Sequence, residues 1–148
     1  MKRLSIFILS LISFTSLASN NYLAQKSIPQ TTTYNINHHA IAVVLYPHAA
    51  AFESALKQAR SLDPRIGLAF DARQLKPVRV SIANSKIPLD ILFINAQKRI
   101  TCMSQEITSN SSSTVGCNTP AVHTVLVLRG GAVQQFQLQI GDKVEGLV

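Results

Sequence analysis

Apolar residues fall along most of this chain in short runs separated by turn formers, the rhythm of strands rather than helices. Tyr34 and Ile36 alternate with asparagines, and residues 40–46 (AIAVVLY) are apolar throughout. Together they predict one bent strand or two short ones ending at Pro47. Residues 48–62 change period: Phe52, Ala55, Leu56, Ala59 and Leu62 recur at three- and four-residue steps and share a helix face. Pro47 fits the first turn, and Asp63-Pro64 ends the helix. The apolar face is narrow and largely alanine, which suits packing on protein rather than on a membrane surface. Residues 66–70 predict a short strand. Val78, Val80 and Ile82 alternate with Arg79, Ser81 and Ala83, the mark of a half-buried strand. Residues 84–86 turn the chain, and 89–94 are apolar except for Asp90, as expected of a central strand covered on both faces. Residues 95–98 link it to a partner strand, 99–104, with Ile100 and Cys102 on one side. Residues 105–119 read as a loose polar segment. Strand 121–128 follows and is broken by Gly130-Gly131. Residues 132–138 are a candidate short helix, and 140–144 form a turn delivering a last strand. The expected class is mainly β, a small β-sandwich or barrel with one amphipathic α-helix and a short second helix as a candidate.

The N-terminus changes the picture of where this fold works. Lys2 and Arg3 precede an apolar stretch, 4–17, and Ser16 and Ala18 place small residues before a cut after Ala18. Those three parts describe a secretory signal peptide. The stretch is shorter than the roughly 20 residues that span a bilayer, and no later stretch could span one. The expected organisation is a signal peptide at 1–18, a polar leader or linker at 19–33, and one β-rich domain at 34–148. Localisation follows as exported, to the periplasm or outside the cell.

Charge and cysteines narrow the options. The formal net charge is +7, and the cut removes Lys2 and Arg3 to leave +5. The remaining basic residues are scattered and not interleaved with aromatics, so no nucleic-acid partner is expected. Cys102 and Cys117 are expected to form a disulfide in an oxidising compartment, the alternative being two separate thiols. Closing a loop of about 15 residues would contribute roughly 3 kcal/mol in the chain-entropy model. No Cys-x-x-Cys arrangement points to thiol–disulfide catalysis.

Candidate chemistry is sparse. Asp90 interrupts an apolar strand and is expected to pin the turn before it, accepting from Asn84, Ser85 or nearby backbone N–H groups. Asn84, Ser85, Lys86 and Asp90 are the candidate ligand-binding set. No carboxylate near Asp90 in sequence completes an acid/base pair, although folding could bring in Asp71, Asp142 or Glu145. His38, His39, His48 and His123 lack zinc-ligand spacing, so no metal is expected. There is no Gly-x-Ser-x-Gly elbow and no phosphate loop after Gly130-Gly131. No cofactor is expected.

The turn and strand at 80–94 resemble a known pattern. The domain-of-unknown-function 192 family carries Phe-Trp-Met-Lys-Asn-Thr, two further residues, and then Pro-Leu-Asp. Here Asn84, Pro88, Leu89 and Asp90 match and Ser85 replaces Thr, while Val80, Ser81, Ile82 and Ala83 replace the first four. Leu56, Leu62, Gly67, Leu68 and Phe70 fall in register with a second series of landmarks, with Ala55 and Ala59 in place of Gly and Arg. Ala51 and Phe52 stand where Glu-Arg would. Pro120-Ala121, the VLVLRGG run at 125–131, and Ile140, Gly141, Asp142 and Val144 resemble the family's closing segments, with Val127 replacing a Glu. The cysteine pair also sits where many members carry one. The resemblance covers residues 41–144 and implies a β-dominated sandwich or barrel and no particular activity. The matched residues are turn and core formers, and the missing ones are aromatic or charged. A patch of those types, if the family binds through it, is lost or altered here. The expected function is an exported, non-catalytic binding or structural module of the bacterial envelope, partnered by an envelope protein or polymer. The alternatives are an envelope enzyme with a site near Asp90, and an accessory subunit of an envelope assembly.

Overall fold

Asn37 and His38 both have positive φ, 48° and 65°, and this two-residue turn folds the first apolar stretch back on itself in the sense that matches strand twist. The computed structural model describes residues 29–110 and 114–147. In it the stretch is two antiparallel strands, β1 (Gln30–Ile36) and β2 (His39–Tyr46), rather than one bent strand. The expected signal peptide and the serines at 111–113 lie outside the described residues. Strand β1 begins inside the stretch expected as leader: Gln30 pairs with Leu45 and Thr33 with Ala42. Three consecutive β-branched threonines suit that role.

Helix α1 (Ala49–Gln58) follows. The imidazole Nδ1 of His48 accepts from Ala51 N at 3.2 Å and caps it, so Pro47 stands before the cap rather than in the first turn. The helix ends at Gln58, not at the expected Leu62. Ala59 turns extended, and Leu62 reaches the same core from an irregular segment. The stretch carrying α1 is the crossover that lets β3 (Ile66–Asp71) run parallel to β2. Strand β4 (Val78–Ser81) leaves the sheet and pairs with β7 (Thr114–Cys117) in a separate two-stranded ribbon. Strand β5 (Leu89–Asn95) lies between β6 (Ile100–Ile107) and β8 (Val122–Arg129). A four-residue helix, α2 (Ala132–Gln135), and a last short strand, β9 (Val144–Glu145), complete the fold. The main sheet is a curled half-barrel of seven strands in the order β6-β5-β8-β3-β2-β1-β9.

Two expectations fail locally. The segment 105–119 is not loose throughout, because β6 runs on to Ile107 and 114–117 pairs with β4. Its low apolar content is offset by ladder hydrogen bonds, by the inward-facing Val115 and Cys117, and by the Cys102–Cys117 disulfide. Ile100 and Cys102 also do not share a side. Phe93 faces Cys102, but the next residue, Ile94, faces Ile100. The extra residue on β6 is a bulge, which swaps the faces on either side of it.

Alternation along β3, β5 and β8 sorts the core into two layers. Leu68, Phe70, Leu89, Ile91, Phe93, Val125 and Val127 pack with Phe52 and Leu56 of α1 and with Val78, Val80 and Val115 of the ribbon. Ala69, Leu92, Ile94, Leu126 and Leu128 point the other way, to Val133 and Phe136 around α2 and to Tyr34, Ile36 and Val144. Strand β5 is therefore apolar on both faces because each face has its own cover.

Candidate functional site

The residues singled out in the sequence meet at a structural corner. Asn84 holds a left-handed conformation at φ 67° and is exposed. Ser85 N donates to Ile82 O at 3.0 Å, its hydroxyl donates to Ile87 O at 3.0 Å, and its carbonyl accepts from Ser109 Oγ at 3.0 Å. Lys86 is exposed. Asp90 is 0% exposed. Its two oxygens accept from Glu106 N at 2.7 Å and Val133 N at 2.8 Å, joining β5 to β6 and to α2. The expected donors, Asn84 and Ser85, are not its partners. The carboxylate faces the α2 layer because its neighbours Leu89 and Ile91 face the other.

The histidines go to four separate places. His38 is in the β1–β2 turn beside a polar groove with Asp142 and Glu145, His39 stacks on Phe136 at 4.7 Å, His48 caps α1, and His123 lines a second cleft. Asp142 caps a turn through Gln139 N at 2.8 Å, and Glu145 pairs with Lys143 at 3.7 Å. Among the described residues no group of three or more His, Cys, Asp or Glu is placed to hold a metal.

Topology builds a different site, one that sequence reading missed. Strands β2, β3 and β5 all finish at the same end of the half-barrel, where β1 and β8 begin. A cleft of about 330 Å³ opens there. Tyr34, Leu45, Tyr46 and Phe70 form its apolar wall. Tyr46 is held edge-on against Phe52, at 6.1 Å, and Phe52 packs on Phe70 at 4.7 Å, so α1 positions the wall from behind. Asp71, Arg73, Asn95, Lys98 and His123 supply polar groups.

The charged groups of this cleft are already engaged. Arg73 Nε donates to both oxygens of Asp71 at 2.9 Å, its backbone N donates to Asp71 Oδ1 at 3.0 Å, and its Nη2 makes a further contact with Oδ2. The guanidinium hydrogen bond holds the Asp71 carboxyl below the usual carboxylate range, and His123 adds a smaller pull in the same direction. Lys98 Nζ donates to the carbonyl of Leu147 at 2.8 Å. Asn95 Oδ1 accepts from Gln97 N and Arg99 N, both at 3.0 Å, which fixes the side chain. Burial pushes the Tyr34 phenol from 10.0 up to about 12 and raises Tyr46 as well, so both stay protonated at neutral pH. These residues are spread from 30 to 147. The one local signal was polar or aromatic residues at successive strand ends: Tyr46, Asp71, Asn95 and His123.

Solved structures of similar shape include two from bacteria. A Sinorhizobium meliloti 1021 protein, provisionally described as a transcription regulator, is 25% identical with a TM-score of 0.73, over 80% of this chain and 95% of that one. A protein of unknown function from Novosphingobium aromaticivorans DSM 12444 is 22% identical with a TM-score of 0.68, over 79% and 84%, a likeness of fold alone. Among curated proteins, none matches. The DUF192 family, described as an uncharacterized ACR, matches residues 31–146, nearly all of the described chain, and the protein belongs to that family.

Proposed function

We propose that this protein is an exported, non-catalytic binding module of the bacterial envelope that takes its ligand in the cleft at the end of the half-barrel. The observation that carries this reading is the state of the cleft's ionisable groups. Asp71, the carboxylate of the lining, is clamped by Arg73, and Lys98 gives a donor to a backbone carbonyl, so His123 has no free carboxylate to act with there. Proton transfer needs a group poised to gain or lose a proton, whereas recognition needs a shaped apolar wall with a few fixed polar groups. The three-part N-terminal pattern at 1–18 supports export.

The two rivals have less support. An enzyme centred on Asp90 needs that carboxylate accessible and other ionisable groups converging on it, but both of its oxygens are taken by backbone amides in a fully buried position. An accessory subunit should present a contiguous apolar patch. The exposed large hydrophobics among the described residues are Ile66 and Ile140, on separate elements.

The test is to express the full-length chain in a Gram-negative host, recover the processed protein from the periplasm, and add soluble fragments of envelope polymers. Saturable amide shifts confined to Tyr46, Asn95, His123 and their neighbours are expected, with the fragments unchanged in mass. Retention of residues 1–18 in the cytoplasm, or breakdown of the fragments, overturns the reading.

A further inference from the structure

The cleft holds hydrogen-bonding capacity that the fold itself does not use. Tyr34 is 2% exposed and Thr124 is 9% exposed, yet neither hydroxyl has a partner among the described residues. No fully buried side-chain oxygen or nitrogen among them lacks a partner, so both oxygens open onto the cleft that their residues line. A deeply placed hydroxyl that touches only a cleft is a position set up for something that enters it, because leaving such a group unpaired is unfavourable. The half-buried Tyr46 adds a third hydroxyl without a partner among the described residues, and Asn95, whose oxygen alone is engaged, adds its NH₂.

The deepest of the free groups are uncharged hydroxyls, and they select the ligand. A phosphate or carboxylate would have to compete with Asp71 for Arg73, and would find in Lys98 only the donors not given to Leu147. A purely apolar ligand would fit Leu45, Pro47 and Phe70 but would strand the buried hydroxyls without partners. A ligand that carries hydroxyls around its edge and C–H groups on its face satisfies both. The volume, about 330 Å³, is near the lower end of small-ligand pockets, about 300–1,000 Å³. We infer that the cleft binds a small neutral saccharide, one or two rings long, with its ring face against the tyrosine and phenylalanine wall and its hydroxyls on Tyr34, Tyr46, Thr124 and Asn95. The inference rests on the cleft being a binding site, as proposed above.

The experiment uses the processed protein, labelled for amide NMR. It is titrated separately with glucose, N-acetylglucosamine, cellobiose and chitobiose, and in parallel with glucuronic acid, inorganic phosphate and phenol. At least one neutral sugar is expected to shift Tyr46, Asn95 and Thr124 saturably. Tyr46→Phe, which removes one half-buried oxygen, should weaken that binding about threefold to tenfold while leaving the thermal midpoint in place. Thr124→Val, of matching shape, should do the same. Shifts produced only by glucuronic acid, phosphate or phenol overturn the saccharide class and leave the binding cleft standing. Sugar binding untouched by both variants overturns the assigned contacts. No response at the cleft to any probe or to the envelope fragments overturns the binding reading as well.

Discussion

Asp90 shows how one residue can look like chemistry in sequence and be architecture in space. It is an acid within an apolar strand, and burying a charge is tolerable only where hydrogen bonds replace water. Two backbone amides do so, one from β6 and one at the start of α2. Asp90→Ala strands both amides. Hydrogen bonds to a charged group contribute roughly 1.5–3 kcal/mol each, so urea unfolding should show a loss of about 3 kcal/mol or more. A loss under about 1 kcal/mol would mean that the clasp is incidental. Tyr34 gives a second residue-level expectation. Its phenol titrates near 12 when folded against 10.0 when free, so the unfolded chain loses that proton first. Stability is therefore fully present below pH 10 and declines as pH rises toward about 12. Tyr34→Phe should flatten that alkaline limb in unfolding curves measured across the range, and an unchanged limb would locate the titration elsewhere. The sequence pointed to Asp90 as the pin of the turn before it, but the carboxylate holds Glu106 and Val133 instead, far along the chain, and no local rule names them.

Elements were legible in proportion to how locally they are determined. The doubly covered β5, the half-buried β4 and the breaking Gly130-Gly131 follow from period and turn chemistry, and the structure places each where expected. The end of α1 and the β7 strand were not legible. The first depends on where the core stops receiving side chains, and the second on a partner more than thirty residues away. The bulge on β6 is likewise invisible in sequence, because one extra residue shows only once the register against β5 is known. The Pro-Leu-Asp corner before β5 does depend on a local contact that can be tested. Gly130 N donates to Pro88 O at 2.9 Å, and a Cβ on Gly130 would lie 2.7 Å from Pro88 Cβ and 2.9 Å from its carbonyl carbon. Those are ring and backbone atoms that cannot swing aside. Gly130→Ala should therefore cost about 1–3 kcal/mol, the range for overpacking a tight site, read as a lower thermal midpoint. An unchanged midpoint would show that β8 can slide away from the corner.

At the scale of the whole molecule, one curled sheet is covered on both faces by unlike layers: α2 with the C-terminal segment on one side, and α1 with the β4–β7 ribbon on the other. The ribbon has only two strands, too few for independent stability, and its hold on the sheet comes from Val78, Val80 and Val115 together with the disulfide from Cys102 on β6 to Cys117 on β7. The bond closes a separation of 15 residues, a contribution of roughly 3 kcal/mol in the chain-entropy model. Such bonds persist chiefly in oxidising compartments, which agrees with the export proposed above. Protein made from the full-length chain and recovered from the periplasm should therefore be about 3 kcal/mol more stable in urea than the Cys102→Ser/Cys117→Ser variant recovered the same way. In the variant, the amides of 78–81 and 114–117 should exchange with solvent before those of β3, β5 and β8, because ribbon and sheet are then held by side-chain packing alone. Uniform loss of protection across sheet and ribbon would instead mean that the bond supports the whole fold as one cooperative unit, and the ribbon would have to be counted as part of the main core.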